Sequence, residues 1–347
     1  MGDRTLVSGK VTQILWQLML AVLAFILVTA CGADPSRVST VHSPDATQTA
    51  PSDTVRLVKH MMGETQVPAN PQRLITLDPN LLATTLALGI QPVGSSASVE
   101  IDGRTGLGPI QPYLDNYAQE LTILGYEGVI NLEKVLLVKP DLILGNHHYE
   151  AIYEQLSRIA PTILYDYREN NFRWKDLTRF FAKVLGKSQE AEKLLNDYHQ
   201  RIQELRRKLG LGVASSEENH VSDIQVSVII PDFNGVRLMH RDILSGSVLK
   251  DVGLSRPPEQ DRDGSQSFVS FEFIPQTDGD VIFVVSNRDK DSLDLVDQLQ
   301  NHPLWSQLEA VKQDKVYLVD AENWSGTDIV RANLILDDLF EYLLDEE

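Results

Sequence analysis

Two segments of this 347-residue chain carry the same residue types at the same interval, and that duplication restricts the fold more than any other feature. The first reads Asn131-Leu132-Glu133, and eight residues after Glu133 it continues Asp141-Leu142-Ile143-Leu144. The second reads Ser270-Phe271-Glu272, and eight residues after Glu272 it continues Asp280-Val281-Ile282-Phe283. Each is a capping residue, an apolar residue, a Glu, room for a short helix, and an Asp-led β-prone run. Each follows a helical stretch closed by glycine, Gly89 in one case and Gly253 in the other. The expectation is a pair of related lobes rather than one continuous sheet.

Between the copies lies Ser188 to Gly210. Ala191, Leu194, Leu195, Tyr198, Ile202, Leu205 and Leu209 recur at helical spacing, Ser188 is placed to cap, and Arg206, Arg207 and Lys208 fill the last turn. Roughly 22 residues span about 33 Å as a helix, enough for a rigid strut between two lobes with the functional site in the cleft.

Around the strut, apolar β-prone runs alternate with helical ones. Strands are expected at 73–77, 90–94, 121–124, 141–145 and 162–166, and helices at 81–88, 132–138 and 151–159. A helix at 174–185 precedes the strut; beyond it come strands at 226–230, 280–283 and 316–320 and a closing helix at 332–344. The fold class is therefore α/β, two Rossmann-like lobes with mainly parallel sheets joined by one long helix. The expected boundaries are 55–170 for the first lobe, 171–211 for the linking helices and 212–347 for the second lobe. Ligands of such sheets bind past the carboxyl ends of the strands. This directs attention to 95–104, Tyr126 and 146–149.

Arg4 and Lys10 precede an apolar run of about 15 residues, too short to span comfortably, and Val28-Thr29-Ala30-Cys31 follows. That ending resembles a bacterial lipobox, which implies cleavage after residue 30 and lipidation of Cys31. An uncleaved anchor and a plain secretory signal are the alternatives. Residues 31–54, rich in Ser, Thr, Pro and Asp, read as a flexible tether. The net charge of −18 argues against a nucleic-acid partner. Cys31 is the one cysteine, so no intramolecular disulfide and no Cys-based zinc site exist. His147-His148 does not assemble a zinc ligand set by itself. The chain has no Gly-x-Ser-x-Gly elbow, no phosphate loop and no His-Glu-x-x-His, so an extracytoplasmic hydrolase is a minor alternative.

From about residue 55 onward the chain resembles the substrate-binding lipoproteins of ABC importers for ferric siderophores, vitamin B12 and haem. The resemblance rests on the order of several short stretches: Pro71-Gln72-Arg73-Leu74-Ile75-Thr76-Leu77-Asp78-Pro79, Asn131-Leu132-Glu133, Lys139-Pro140-Asp141-Leu142-Ile143-Leu144-Gly145, Ile159-Ala160-Pro161-Thr162, Ser247-Val248-Leu249 and Pro303-Leu304-Trp305 through Tyr317. It implies two α/β lobes on one long helix, a monomer tethered by lipid to the outer face of the cell membrane, and an ABC permease dimer as partner. By spacing alone Glu133 and Glu272 read as helix-dipole partners; the resemblance implies that they dock the permease. It also implies a transported ligand and no cofactor or resident metal.

A ferric chelate of the citrate or hydroxamate type is anionic, and it calls for Arg to meet its oxygens and aromatics to cover its carbon. Arg104, Arg237 and Arg241 are expected on loops that follow strands, with Tyr126, His148, Tyr149, Phe268 and Trp324. The sequence around Trp324 resembles a family loop with a ligand-contacting aromatic, and His148-Tyr149 matches a cleft position. Each Arg reads equally as a solvated surface residue. Arg168, Arg173 and Trp174 are secondary candidates near the lobe junction. Cobalamin and haem stay open as alternative ligands.

Overall fold

The computed structural model describes residues 55–98, 100–101, 104–107, 121–168, 173–211 and 222–344. The expected signal segment, the tether and Cys31 lie outside them.

The first lobe opens with an antiparallel hairpin of β1 (Val55–His60) and β2 (Gly63–Pro68). It continues through β3 (Leu74–Thr76), β4 (Gly94–Ala97), a ribbon of β5 (Glu100–Ile101) and β6 (Arg104–Thr105), then β7 (Thr122–Tyr126), β8 (Val129–Ile130), β9 (Leu142–Asn146) and β10 (Thr162–Tyr165). The main sheet runs β10-β9-β3-β4-β7-β8, and only β8 is antiparallel to its neighbour. β9 is buried along its whole length, which is why it opens on the apolar run Leu142-Ile143-Leu144.

The second lobe is built on β11 (Val226–Asp232), β12 (Gly235–Met239), β13 (Gln266–Ser270), β14 (Val281–Ser286) and β15 (Val316–Asp320). Its order is β13-β12-β11-β14-β15. β11, β14 and β15 are parallel, while β12 and β13 are antiparallel.

The duplicated segments have equivalent structural roles. The Asp141 carboxylate accepts from the backbone N–H of Gln72 (2.7 Å) and Arg73 (3.0 Å), just before β3. The Asp280 carboxylate accepts from Gln225 N–H (2.7 Å), just before β11. Each Asp thus secures the start of the parallel strand beside its own. Residues 132–137 and 271–276 also share one burial pattern, with Val135 and Ile274 as the buried anchors and both Glu residues exposed. The copies diverge in helix type. Leu132–Leu137 is α-helical, and Asn131 accepts from Lys134 N–H (3.0 Å) as its cap. Phe271–Thr277 is a 3₁₀ turn that contains Pro275, which has no N–H to give an α-helical bond. Ser270 therefore does not cap as expected; its hydroxyl donates to Glu272 Oε1 (3.1 Å).

The long helix spans Ser188–Lys208, with Lys187 rather than Ser188 at the cap position. It ends where Gly210 turns left-handed (φ 72°) and Leu211 N–H reaches Arg206 O (2.9 Å). The helix does more than hold the lobes apart. Ala191 packs into the first-lobe core with Phe181, and Leu195, Tyr198, Ile202 and Leu205 pack into a second core with Val248, Leu249, Ile335 and Leu336. That second core also takes Leu82, Ala83 and Leu86 from the first-lobe helix Pro79–Ala87 and Trp174 from the helix Trp174–Leu185. The two lobes share one apolar wall. Lys175 Nζ on Asp251 (2.6 Å) and Tyr198 OH donating to Asp251 Oδ2 (2.7 Å) fasten its edge.

Replacing Asp141 or Asp280 with Ala leaves strand-start amides without a charged acceptor. Each change is expected to cost about 1 kcal/mol, read as a lower urea midpoint with an unchanged slope.

Candidate ligand-binding cleft

The carboxyl ends of both parallel sheets open on one cleft of about 490 Å³. The first lobe lines it with Pro79, Asn80, Ser98 and Glu127; the second lines it with Ile230, Pro231, Ser286, Asn287, Glu322, Gly326 and Arg331, among others.

The first-lobe wall is built on Asp78, which follows β3 and is 0% exposed. Its Oδ1 accepts from Asn80 N–H (2.7 Å) and Asn80 Nδ2 (2.8 Å), capping the helix in which Pro79 takes the first position. Its Oδ2 accepts from Asn146 Nδ2 (2.8 Å) and from the Tyr167 hydroxyl. Asn146, the last residue of β9, also donates to Glu127 Oε1 (2.8 Å), and its own Oδ1 accepts from His148 N–H (3.0 Å). Burial and then the Asp78 charge push the Glu127 carboxyl above the usual range. Burial raises the Tyr167 phenol well above its ordinary value. Further along the edge, Arg168 grips Asp166 through Nε (2.9 Å) and Nη2 (2.7 Å), which holds that carboxyl down at about 2. Burial lowers His147, 3.9 Å from Asp166.

On the second-lobe side, Arg331 is buried. It is tied to the fully buried Asp328 and donates through Nε to Glu322 O (2.8 Å). The lobes touch at the cleft floor, where Thr327 N–H donates to Asn80 Oδ1 (2.9 Å). Arg237 Nε donates to Asp232 Oδ2 (2.7 Å), and Arg288 Nε lies 3.3 Å from Asp320 Oδ2. Arg168, Arg237, Arg288 and Arg331 are thus each clamped by an Asp near a strand end or helix start. Each clamp fixes a guanidinium in one place and removes in advance side-chain freedom that a contact would otherwise cost.

The residues picked from sequence divide into four groups. Tyr126 ends β7 beside Glu127, and His148 stands half-exposed with Nδ1 3.3 Å from Glu127 Oε1, so both are at the cleft edge. Arg237 and Phe268 are exposed cross-strand partners on β12 and β13, and Arg237 pairs in turn with the cleft-lining Ile230. Arg104 stands on β6, paired antiparallel with β5.

Three picks do not reach the cleft. Trp324 is 2% exposed: the short helix Ala321–Trp324 turns it inward onto Phe283 (4.7 Å between rings), and its Nε1 donates to Asp338 Oδ2 (2.5 Å). Tyr149 is 0% exposed, accepts from Gly128 N–H (2.9 Å), and is pushed up to about 12 by burial. Arg241 follows β12, whose antiparallel course carries it to the opposite end of the sheet, between Asp261 and Asp263. The histidine pair opens a 3₁₀ turn past β9, and its rings meet edge to face at 4.3 Å. Asp78, Glu127 and Arg331 were not singled out from sequence. Asp78-Pro79 carries a readable signal, a capping residue before a first-turn proline.

The sequence pattern of the periplasmic binding protein family matches residues 108–323. A probable siderophore-binding lipoprotein of Bacillus subtilis, YfiY, is 30% identical over 94% of this chain and 97% of its own length. The Fe(3+)-citrate-binding protein YfmC of the same organism is 28% identical over 92% of each chain. Among solved structures, Staphylococcus aureus SirA complexed with staphyloferrin B superposes with a TM-score of 0.69 at 28% identity, covering 83% of this chain and 98% of that one.

Two outcomes follow from the cleft geometry. Gly326 has φ 143°, and a Cβ there would lie 2.5 Å from Arg331 Cδ and 2.8 Å from Asn80 Oδ1. Gly326→Ala is expected to cost about 2 kcal/mol and to speed amide exchange at the start of the helix Ile329–Leu344. Asp166 has a folded value of about 2, below the roughly 3.9 of an unfolded chain. Its contribution is therefore complete above about pH 4 and is lost as pH falls through about 2. The urea-midpoint gap between the protein and Asp166→Asn is expected to narrow below about pH 4.

Proposed function

The chain belongs to the periplasmic binding protein family, and we propose that it captures a ferric siderophore, an anionic Fe(III) chelate of citrate or hydroxamate type, for an ABC importer. The observation that carries this reading is the cleft into which the carboxyl edges of both sheets open, with Asp-clamped arginines beside its lining residues. Carboxylate-rich chelates offer those guanidinium groups anionic oxygens, and Tyr126 and Phe268 offer exposed rings beside them. The relatives named for siderophores and ferric citrate support the same cargo.

Delivery completes the proposal. Glu133 and Glu272 are exposed at equivalent places on the two lobes, each in the first turn of its helix. In our reading they meet basic groups on the two halves of the permease, fixing orientation and raising the encounter rate. Lipidation at Cys31 keeps the monomeric body on the outer face of the membrane.

Native mass spectrometry of the body from residue 55 onward, against ferric citrate, hydroxamate chelates, haem and cobalamin, tests the cargo. Ferric chelates are expected to bind; binding of haem or cobalamin alone overturns the reading. Arg237→Ala with Arg288→Ala is expected to weaken ferric citrate about tenfold or more, as loss of charge-assisted contacts does. Glu133→Ala with Glu272→Ala is expected to abolish uptake into cells while leaving affinity unchanged.

A further inference from the structure

Glu127 follows β7 and lines the cleft with a side chain 26% exposed. Its two oxygens have different surroundings. Oε1 accepts from Asn146 Nδ2 (2.8 Å) and lies 3.3 Å from His148 Nδ1. Oε2 has no hydrogen-bond partner among the described residues. The amide that serves Oε1 also serves the Asp78 carboxylate, so one Asn146 side chain separates the two acids. Among the described residues, the other titratable and charged groups around Glu127 are few. His148 lies beside it on the turn after β9, while Tyr149 and Tyr167 are buried behind it. Across the cleft stand Glu322 and Arg331, the latter already engaged by Asp328.

An anion at Glu127 is opposed by burial and then by Asp78, which outweigh the Asn146 amide and His148 that favour it. A cargo that brings further negative charge into the same cleft adds a third opposing influence. Asn146 already donates to Oε1, so Oε2 is the oxygen left to carry a proton, on a residue that lines the cleft.

We propose that Glu127 meets the anionic cargo as a neutral acid, donating from Oε2–H to a cargo oxygen, so that capture takes up one proton from solvent. This rests on the cargo being an anionic chelate. The carboxylate gains the proton and no other bond is made or broken. The sign follows from linkage: the cargo-bound form holds the proton more tightly than the empty form, so affinity rises as pH falls between the two values. Across that window the gain approaches tenfold per pH unit. Glu127→Gln offers an amide N–H where the acid offers O–H, and it binds with no such dependence.

The test uses ferric citrate on the protein and on Glu127→Gln. Calorimetry in two buffers of different ionisation enthalpy, from about pH 7.5 to 5.5, reads protons taken up per cargo bound. The chelate's own titration is common to both proteins and cancels in the difference. The expected result is an excess uptake by the natural protein that approaches one proton, with an affinity ratio that widens as pH rises. A carboxylic-acid C=O band is expected in its infrared spectrum when bound, and is expected to be lost in Glu127→Gln. Equal proton uptake by the two proteins overturns the proposal. So does binding by Glu127→Gln more than tenfold weaker at the acid end, which would mean that the cargo requires the carboxylate. If ferric citrate binds with no excess proton, the cargo reading stands and this proposal alone falls. If the natural protein binds cobalamin and no anionic chelate, both fall.

Discussion

A carboxylate sealed from water must find its hydrogen-bond donors within the protein, and in this chain that demand on Asp78 organises the cleft. The residue follows β3, caps the helix at Pro79–Ala87, accepts from the end of β9 through Asn146, and accepts from Tyr167 just past β10. One side chain thereby gathers the carboxyl ends of three neighbouring strands. Asn80, held by the same carboxylate, reaches across to Thr327 on the other lobe. Truncation at this point would remove the acceptor that Asn146 and Tyr167 share and loosen the interlobe contact together with the wall.

Acidic residues recur in this role. Asp141 and Asp280 secure strand starts, and Asp289 and Asp320 cap helices. Others clamp arginines along the cleft edge. The net charge of −18 is thus partly a consequence of using carboxylates to satisfy backbone amides and to aim guanidinium groups. It does not make the site hostile to an anion, because local arrangement rather than the total sets the potential in a cleft.

The architecture was legible where the signal is periodic or repeated. The helix at 188–208 shows its buried stripe in sequence, and the duplicated Asp-led segments announce two lobes. The cleft was less legible, because a residue's position after a strand does not determine which way its side chain turns. Trp324 and Tyr149 satisfy the positional rule and still point inward, since both bury large rings and find internal hydrogen bonds. Arg241 fails for a topological reason: β12 runs antiparallel, so the end of that strand is the wrong end of the sheet. Glu127 and Asp78 are 49 positions apart and are bridged by Asn146, a relation that no local spacing encodes.

The wall shared by the two lobes bears on how such a molecule came to be and how it can be dissected. An ancestral duplication would have begun with autonomous halves, yet here Leu82, Ala83 and Leu86 of the first lobe, with Trp174, Leu195, Tyr198, Ile202 and Leu205 of the linking helices, complete a core shared with the second lobe. Autonomy has been exchanged for mutual dependence. A fragment encoding either half would surface a sheet of leucine and tryptophan to solvent and aggregate. Engineering that grafts one half onto a foreign partner must therefore carry the helices Pro79–Ala87, Trp174–Leu185 and Ser188–Lys208 along with it, or repaint their apolar faces.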